Sequence, residues 1–408
     1  MKSFLSHVIN ESLDAALPPD VRGAIIDKGA KIYQIGGVVR DEMLGKVSKD
    51  LDLLVVGLEL NDLSKILEPF GKVNLVGKSF GILKFTPEGT TEEIDISIPR
   101  IDEKSTGKGH KDFEIKLGKG ISLQQDQLRR DFWMNAIAKD VETGEVHDIG
   151  GKGKIDIDNK IVRMINPQAF QDDPLRMLRA VQFASRFEFK IEPDTYNEIK
   201  KNVKLLKTVS AERFSEEFKK LFEKSKSPSI GIKLMVELGI MKLLFPQVKN
   251  IDYKLLDRIG KSYFPAFMGV LLKDYKDISG KIAQKTMKLS NEEADGTLCV
   301  TRMIWENYSL RDPVKLVKFT MTAPAHCIDI IDGYLMAAKK ETISKMLNSL
   351  RRQGKPTSLR ELPIGGRDLM DLGFRGKSIG DTLGKALELS IKGGLSREEL
   401  LKWAKSVK

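Results

Sequence analysis

"QIGGVVRDEMLGKVSKDLDLLVV", residues Gln34 to Val56, sets a Gly-Gly pair, an Arg-Asp pair and an Asp-Leu-Asp triplet close together. Lys31–Ile35 just before it reads as a short strand, Gly36-Gly37 as a turn into a helix over Val38–Leu44, and Asp50–Val56 as an apolar strand. Asp50 and Asp52, two residues apart on a strand, project to the same face. Two carboxylates together at a strand end repel each other unless a cation lies between them. Mg²⁺, with oxygen ligands and substrate phosphates, is the natural occupant, although a solvated turn explains most isolated Asp-x-Asp triplets. A Gly-Gly turn opening a helix lets backbone amides approach an anion, although most such pairs are only turns. In this order and spacing, the two features read as one device. The carboxylates hold Mg²⁺, and the glycines hold a triphosphate that shares it.

Around this stretch lies an ordinary globular composition. The 408 residues are 41% hydrophobic and 31% charged, enough for two to four domains with cores of their own. No apolar run approaches the ~18 residues that span a bilayer, and the N-terminus lacks a signal-peptide core, so no membrane role is expected. Two cysteines, Cys299 and Cys327, lack metal-ligand spacing, and reduced thiols in the cytoplasm are the expectation. A net charge of +11 suggests a polyanionic partner.

The region up to about residue 150 mixes strands and short helices. Leu60–Glu68 reads as a helix, and Val73–Val76, Gly81–Phe85 and Glu93–Ile98 alternate like sheet strands. Asp102–Lys111, "DEKSTGKGHK", reads as a polar loop. From about Pro174 onward the pattern is helical, with amphipathic stretches in "DDPLRMLRAVQFASRF" and "ERFSEEFKKLFEKS", and with "LMVELGIMKLLFPQV" broken by Gly239 and stopped by Pro246. Arg129-Arg130-Asp131 is expected to open a helix. Asp173 and Arg176 are expected to share one helical face at i and i+3.

"GGVVRDEMLG…KDLDLLVVG" resembles the nucleotidyltransferase signature of the DNA polymerase beta superfamily, and more narrowly that of class II tRNA nucleotidyltransferases (CCA-adding enzymes) and bacterial poly(A) polymerases. "LRRDFWMNAIAKD" (Leu128–Asp140) is similar to that family's ribose-recognition motif, and "DDPLRMLRAVQFASRF" (Asp172–Phe187) to its base-template motif. "LPIGGRDLMDLGFRGKSIGDTL" (Leu362–Leu383) resembles the C-terminal segment of bacterial members. The resemblance implies an α+β protein. It would have a polymerase-beta-like head of mixed sheet and helices (1–150), then an elongated all-α region of neck (151–224, base recognition), body (225–330) and tail (331–408, tRNA binding).

The implied activity is template-independent addition of CCA to the tRNA 3′ end from CTP and ATP. The alternatives are a poly(A) polymerase of the same family or a non-catalytic RNA-binding relative. Partners are tRNA, CTP and ATP, and the protein is a monomer or homodimer. Asp50 and Asp52 are the implied catalytic and metal-binding residues, with Mg²⁺ the cofactor. Gly36, Gly37 and Arg40 lie by the phosphates or support that loop, Arg130 and Arg179 contact the nucleotide, and Asp131 and Asn135 fix the ribose or the local structure. Asp173 and Arg176 form the base template. Arg offers only donors and Asp only acceptors, so a fixed pair matches cytosine and adenine but leaves groups unpaired against uracil and guanine. Asp95 is either a third carboxylate or an ordinary strand position. The chain departs from the family at Asp172, where Glu is usual, and at Gln182, where a third Arg is common. His7, His110, His147 and His326 are too scattered for the His-Asp domain that some relatives carry.

Overall fold

The computed structural model describes residues 13, 14, 16–47, 51–77, 81–102, 115–305 and 312–408. Asp50 and residues 103–111 of the polar loop lie outside them. The chain divides into two compact units: Met1–Ser225 with Lys233–Ile240, and Lys226–Ile232 with Met241–Lys408.

The first unit is built on strands β1 (Lys31–Ile35), β2 (Asp52–Val56), β3 (Gly71–Gly77), β4 (Ile82–Pro87), β5 (Ile94–Ser97), β6 (Ala138–Asp140) and β7 (Val146–His147). They form one sheet in the order β3-β4-β5-β2-β1-β6-β7. The β2–β5 pair is parallel and the other pairs are antiparallel, which makes the sheet mixed as expected. Strand β2 is apolar throughout its middle because it is central and covered on both faces. Leu53 and Val55 join the core beneath helices α1 (Pro19–Ile26) and α3 (Leu60–Leu67), whereas Leu54 packs with Tyr33, Ile35 and Ala138. Asp52 is exposed where β2 begins, so the carboxylate sits at the edge of a rigid, buried element.

Helix α2 (Gly37–Met43) follows β1 through Gly36, which has φ 67° and ψ −117°. Side chains rarely adopt that conformation. A Cβ there would also stand 3.2 Å from Arg130 Nη1. Helix α4 (Leu123–Leu128) starts at a capping box formed by Ser122 and Gln125 and ends at Arg129. Arg129-Arg130-Asp131 therefore closes a helix, contrary to the expectation that it opens one, and a 3₁₀ turn over Trp133–Asn135 follows. Helix α5 (Leu175–Phe187) begins after Pro174, and α6 (Ala211–Lys224) begins at Ser210, whose side chain caps Arg213 N.

The second unit is helical. Helix α7 (Phe264–Leu271) crosses α8 (Asn291–Trp305) so closely that a Cβ on Gly269 would lie 2.7 Å from Val300 Cβ. Helix α9 (Ala325–Ala337) is tied to α8 by a disulfide between Cys299 and Cys327, with Cα atoms 6.2 Å apart. This corrects the expectation of reduced thiols. The two positions are 28 residues apart in sequence but face each other across neighbouring helices. Among the described residues, no helix is long and apolar enough to cross a membrane.

Candidate active site

A cavity of ≈ 620 Å³ opens within the first unit, lined by Gly36 and Gly37, by Asp52, and by Arg130, Arg179 and Gln182. A smaller recess of ≈ 170 Å³ also reaches Asp52, together with Asp95, Arg100 and Arg129. Asp52 and Asp95 are register partners on the parallel strands β2 and β5. Lys84, opposite Asp95 on β4, approaches the Asp95 carboxylate to 3.4 Å. Two exposed carboxylates thus leave the sheet side by side. Among the described residues no three His, Cys, Asp or Glu side chains gather as a metal-ligand set. Asp50, the first member of the triplet, lies outside those residues.

Behind Asp52 a buried polar network runs from the glycine turn to the helices. Arg40 is almost wholly buried, and its guanidinium lies 5.2 Å from the Phe183 ring centroid and 4.7 Å from that of Phe187. Its Nε donates to Asp41 Oδ1 at 2.8 Å and its Nη1 to Asn135 Oδ1 at 2.6 Å. Its donors thus tie α2 to the 3₁₀ turn at Asn135, while the two ring contacts pack it against α5. Arg40 also lines the cavity. Burial lowers its pKa, against the opposing pull of Asp41. Arg186 reaches the other oxygen of Asp41 at 3.3 Å.

From Asn135 the network continues to Asp131, whose Oδ1 accepts from Asn135 Nδ2 at 3.0 Å and from Phe132 N at 2.8 Å. Arg179 Nε donates to Asp131 Oδ2 at 2.8 Å, and Arg179 Nη1 lies 3.6 Å from Glu217. Asp131 and Asn135 therefore hold Arg40 and Arg179 in register. Arg130 and Arg129 are both clamped by Asp126, a fully buried carboxylate that the sequence reading passed over. Arg130 Nη2 lies 2.9 Å and Arg129 Nη2 2.6 Å from the Asp126 oxygens. Burial pulls the Arg129 guanidinium down to about 10, with Asp126 opposing.

Burial opposes ionisation of Asp126 and Asp131, but the arginines facing each outweigh it and hold both carboxyls below their ordinary value. A carboxyl depressed in the folded state stabilises the fold above its unfolded pKa, about 3.9, and loses that contribution as the pH falls through the lower folded value. The thermal midpoint of the first unit should therefore fall on acidification below about pH 4. In an Asp126→Asn/Asp131→Asn variant the same acidification should lower the midpoint less, a difference that calorimetry from pH 7 downward measures.

The base-template residues are arranged differently from the sequence expectation. Asp173 is not helical: it has φ −140° and ψ 98°, the extended conformation that a following proline imposes. Its Oδ1 accepts from Leu175 N at 3.2 Å, and its Oδ2 accepts from Arg213 Nη2 on α6 at 2.8 Å. Arg176 turns away to donate to Arg129 O at 2.8 Å. The carboxylate's guanidinium partner is thus Arg213, a contact across 40 residues. Helix α6 also supplies Glu217, Lys220 and Lys224 to the main cavity. None of these was singled out in the sequence, where a charged stripe on an amphipathic helix looks the same as a solvated face.

The model of the poly(A) polymerase head domain matches residues 32–163, which hold the sheet, the glycine turn and the Arg130 clamp. A second model, described as "Probable RNA and SrmB-binding site of polymerase A", matches residues 188–252 and includes α6. These two segments are similar to the head and RNA-binding domains of the poly(A) polymerase family. Enzymes with that head domain are metal-dependent nucleotidyltransferases. Among curated relatives, the multifunctional CCA protein of Actinobacillus pleuropneumoniae is 36% identical over 226 residues, covering 54% of this chain and 52% of that protein. The corresponding protein of Neisseria meningitidis is 36% identical over 223 residues, covering 54% and 50%. The chain thus spans about half the length of the curated relatives it matches.

Likeness to solved structures extends over nearly the whole chain. The Bacillus stearothermophilus CCA-adding enzyme in complex with CTP superposes with a TM-score of 0.72 at 22% identity, covering 97% of both chains. The Thermotoga maritima CCA-adding enzyme complexed with tRNA does so with 0.67 at 25% identity, covering 95% of this chain and 93% of that one. The α+β architecture, a mixed-sheet head followed by helices, is the fold of these enzymes.

Proposed function

We propose that this protein adds C, C and A to the 3′ end of tRNA without a nucleic-acid template, using CTP and ATP and releasing pyrophosphate. The observation that carries this reading is the single cavity onto which Asp52, the Gly36-Gly37 turn, Arg130 and Arg179 all open. The relatives named for CCA addition support the choice of product over poly(A). Retention of Asp50 and Asp52 argues against a non-catalytic relative.

Asp50 and Asp52 are the proposed metal ligands, and Asp95 stands beside Asp52 as a third carboxylate. Hard oxygen donors of this kind suit Mg²⁺, and the exposed Asp52–Asp95 pair fits it. Bound there, Mg²⁺ would lower the pKa of the primer hydroxyl and neutralise charge on the triphosphate. The residues of the chain do the positioning. Gly36 and Gly37 let the backbone approach the phosphates, and Arg130 and Arg179 orient the nucleotide. Asp173, steadied by Arg213, reads the base edge, and Arg176 would join it by leaving the Arg129 carbonyl. Cytoplasm, where tRNA and nucleoside triphosphates meet, is the proposed location.

A tRNA transcript lacking CCA, incubated with protein, Mg²⁺ and labelled CTP or ATP, tests the reading. Label from CTP should enter first, and label from ATP only once two C residues are present. Incorporation of ATP alone in long runs would instead identify a poly(A) polymerase.

We assign tRNA holding to residues 331–408. Arg352, Arg367, Lys377 and Lys385 are exposed there. A cut after residue 330 would sever α9, so substitution is the cleaner probe. Changing all four to Gln should weaken tRNA binding and flatten its dependence on salt, because fewer counterions are released. Filter binding at several salt concentrations reads both, and an unchanged slope would remove the tail from the RNA-binding surface.

A further inference from the structure

Helix α6 contributes more to the site than the Arg213 contact. Arg213, Glu217, Lys220 and Lys224 recur at intervals of four, three and four residues and so lie on one face of the helix. Two contacts fix how that face runs along the site. Arg213 meets Asp173 just before α5, and Glu217, one turn on, meets Arg179, one turn into α5. The two helices therefore advance in the same sense. Continuing this register sets Lys220 and Lys224 beside the second half of α5, where Gln182 brings no charge. All three residues line the same ≈ 620 Å³ cavity as Gly36 and Asp52.

The charge balance of that cavity gives the lysines a task. Its lining holds six cationic side chains and four carboxylates. The arginines are already matched: Arg40 and Arg186 by Asp41, Arg179 by Asp131 and Glu217, and Arg130 by Asp126 behind the wall. Lys220 shares Glu217 with Arg179 at 3.7 Å and is half exposed. Lys224 has no ion pair among the described residues. The lysines are thus the surplus of positive charge, and without them the lining would be neutral. A triphosphate carries several negative charges and must lie in this cavity to bring its α-phosphate to Asp52. Flexible ammonium groups serve as point-charge phosphate ligands.

We propose that Lys220 and Lys224 bind the β- and γ-phosphates of the incoming nucleotide, making α6 the second wall of the triphosphate site. The inference rests on the proposed nucleotidyl transfer and deepens it. It also departs from a purely RNA-binding role for this segment.

The test uses the full-length protein with Lys220→Gln, Lys224→Gln, the double variant, and Lys220→Arg/Lys224→Arg. Equilibrium binding of ATP and CTP is measured without tRNA, and KM for each nucleotide with tRNA saturating. Each Gln substitution should weaken nucleotide binding and raise KM by about tenfold, the size of one charge-assisted contact. The Arg variant should recover most of the loss, and the dissociation constant for tRNA should stay at its wild-type value. AMP, which lacks the β- and γ-phosphates, should bind all variants alike. Unchanged nucleotide binding with weakened tRNA binding would overturn the proposal and give the lysines to the RNA backbone. A wild-type protein that binds nucleotides but transfers none would defeat the proposed function, while the equilibrium arm would still decide the lysines.

Discussion

Asp52→Asn should reduce nucleotide addition by on the order of a thousandfold or more, the equivalent of losing several kcal/mol of charge stabilisation at the reacting phosphate. The substitution is nearly isosteric and removes one charge at an exposed strand end. Leu53, Leu54 and Val55 behind it are buried and untouched, so the thermal midpoint and tRNA affinity should stay near wild type. This separation of activity from stability gives the test its force. A residue needed only to terminate β2 would show the reverse pattern, with lower stability and proportionate activity. Strong metal-dependent addition by Asp52→Asn would remove it from the catalytic set.

Asp173→Ala should have the second-largest effect, and on selectivity more than on rate. Its carboxylate is aimed by two fixed partners, the Leu175 amide and the Arg213 guanidinium. Sites that match donors and acceptors in this way reject mismatched groups by up to about 10⁴. Losing the acceptor should narrow the preference for CTP and ATP over UTP and GTP on the order of a hundredfold. Arg213→Ala should move the same ratio in the same direction and by less, because it only frees the carboxylate to reorient. Single-turnover addition with each of the four nucleotides measures these ratios. If Asp173→Ala keeps the wild-type ratios, base choice lies with other residues.

What was legible in the sequence was local. Strand β1 was read to the residue, and the glycine turn, the start of α3 and the helix break at Gly239, between helices Pro228–Glu237 and Ile240–Leu244, all followed from backbone chemistry that neighbouring residues dictate. Two errors were also local and have identifiable causes. Arg129-Arg130-Asp131 was assigned to a helix start because charged residues cluster at helix ends of either kind. The capping pair Ser122 and Gln125, a few residues upstream, marks the true beginning. Asp173 was given a helical partner at Arg176, although Pro174 forces the residue before it out of helical space.

The remainder depended on contacts that no local pattern encodes. Arg213 meets Asp173 across 40 residues, and Arg40 meets Asn135 across 95. Asp126 looks like any acidic residue in a short polar helix until the fold buries it between two arginines. The cysteine pair was invisible for the same reason, since its helices become neighbours only in the packed second unit.

The measurement that bears most directly on the central claim is the sequence of the nucleotides added. A tRNA transcript ending at its discriminator base would be incubated with the protein and all four nucleoside triphosphates, and the 3′ ends of the products read individually. Products ending in CCA, with no further extension and with U and G absent, are the expected result. Runs of A, a stop after CC, or tails of mixed bases would contradict it.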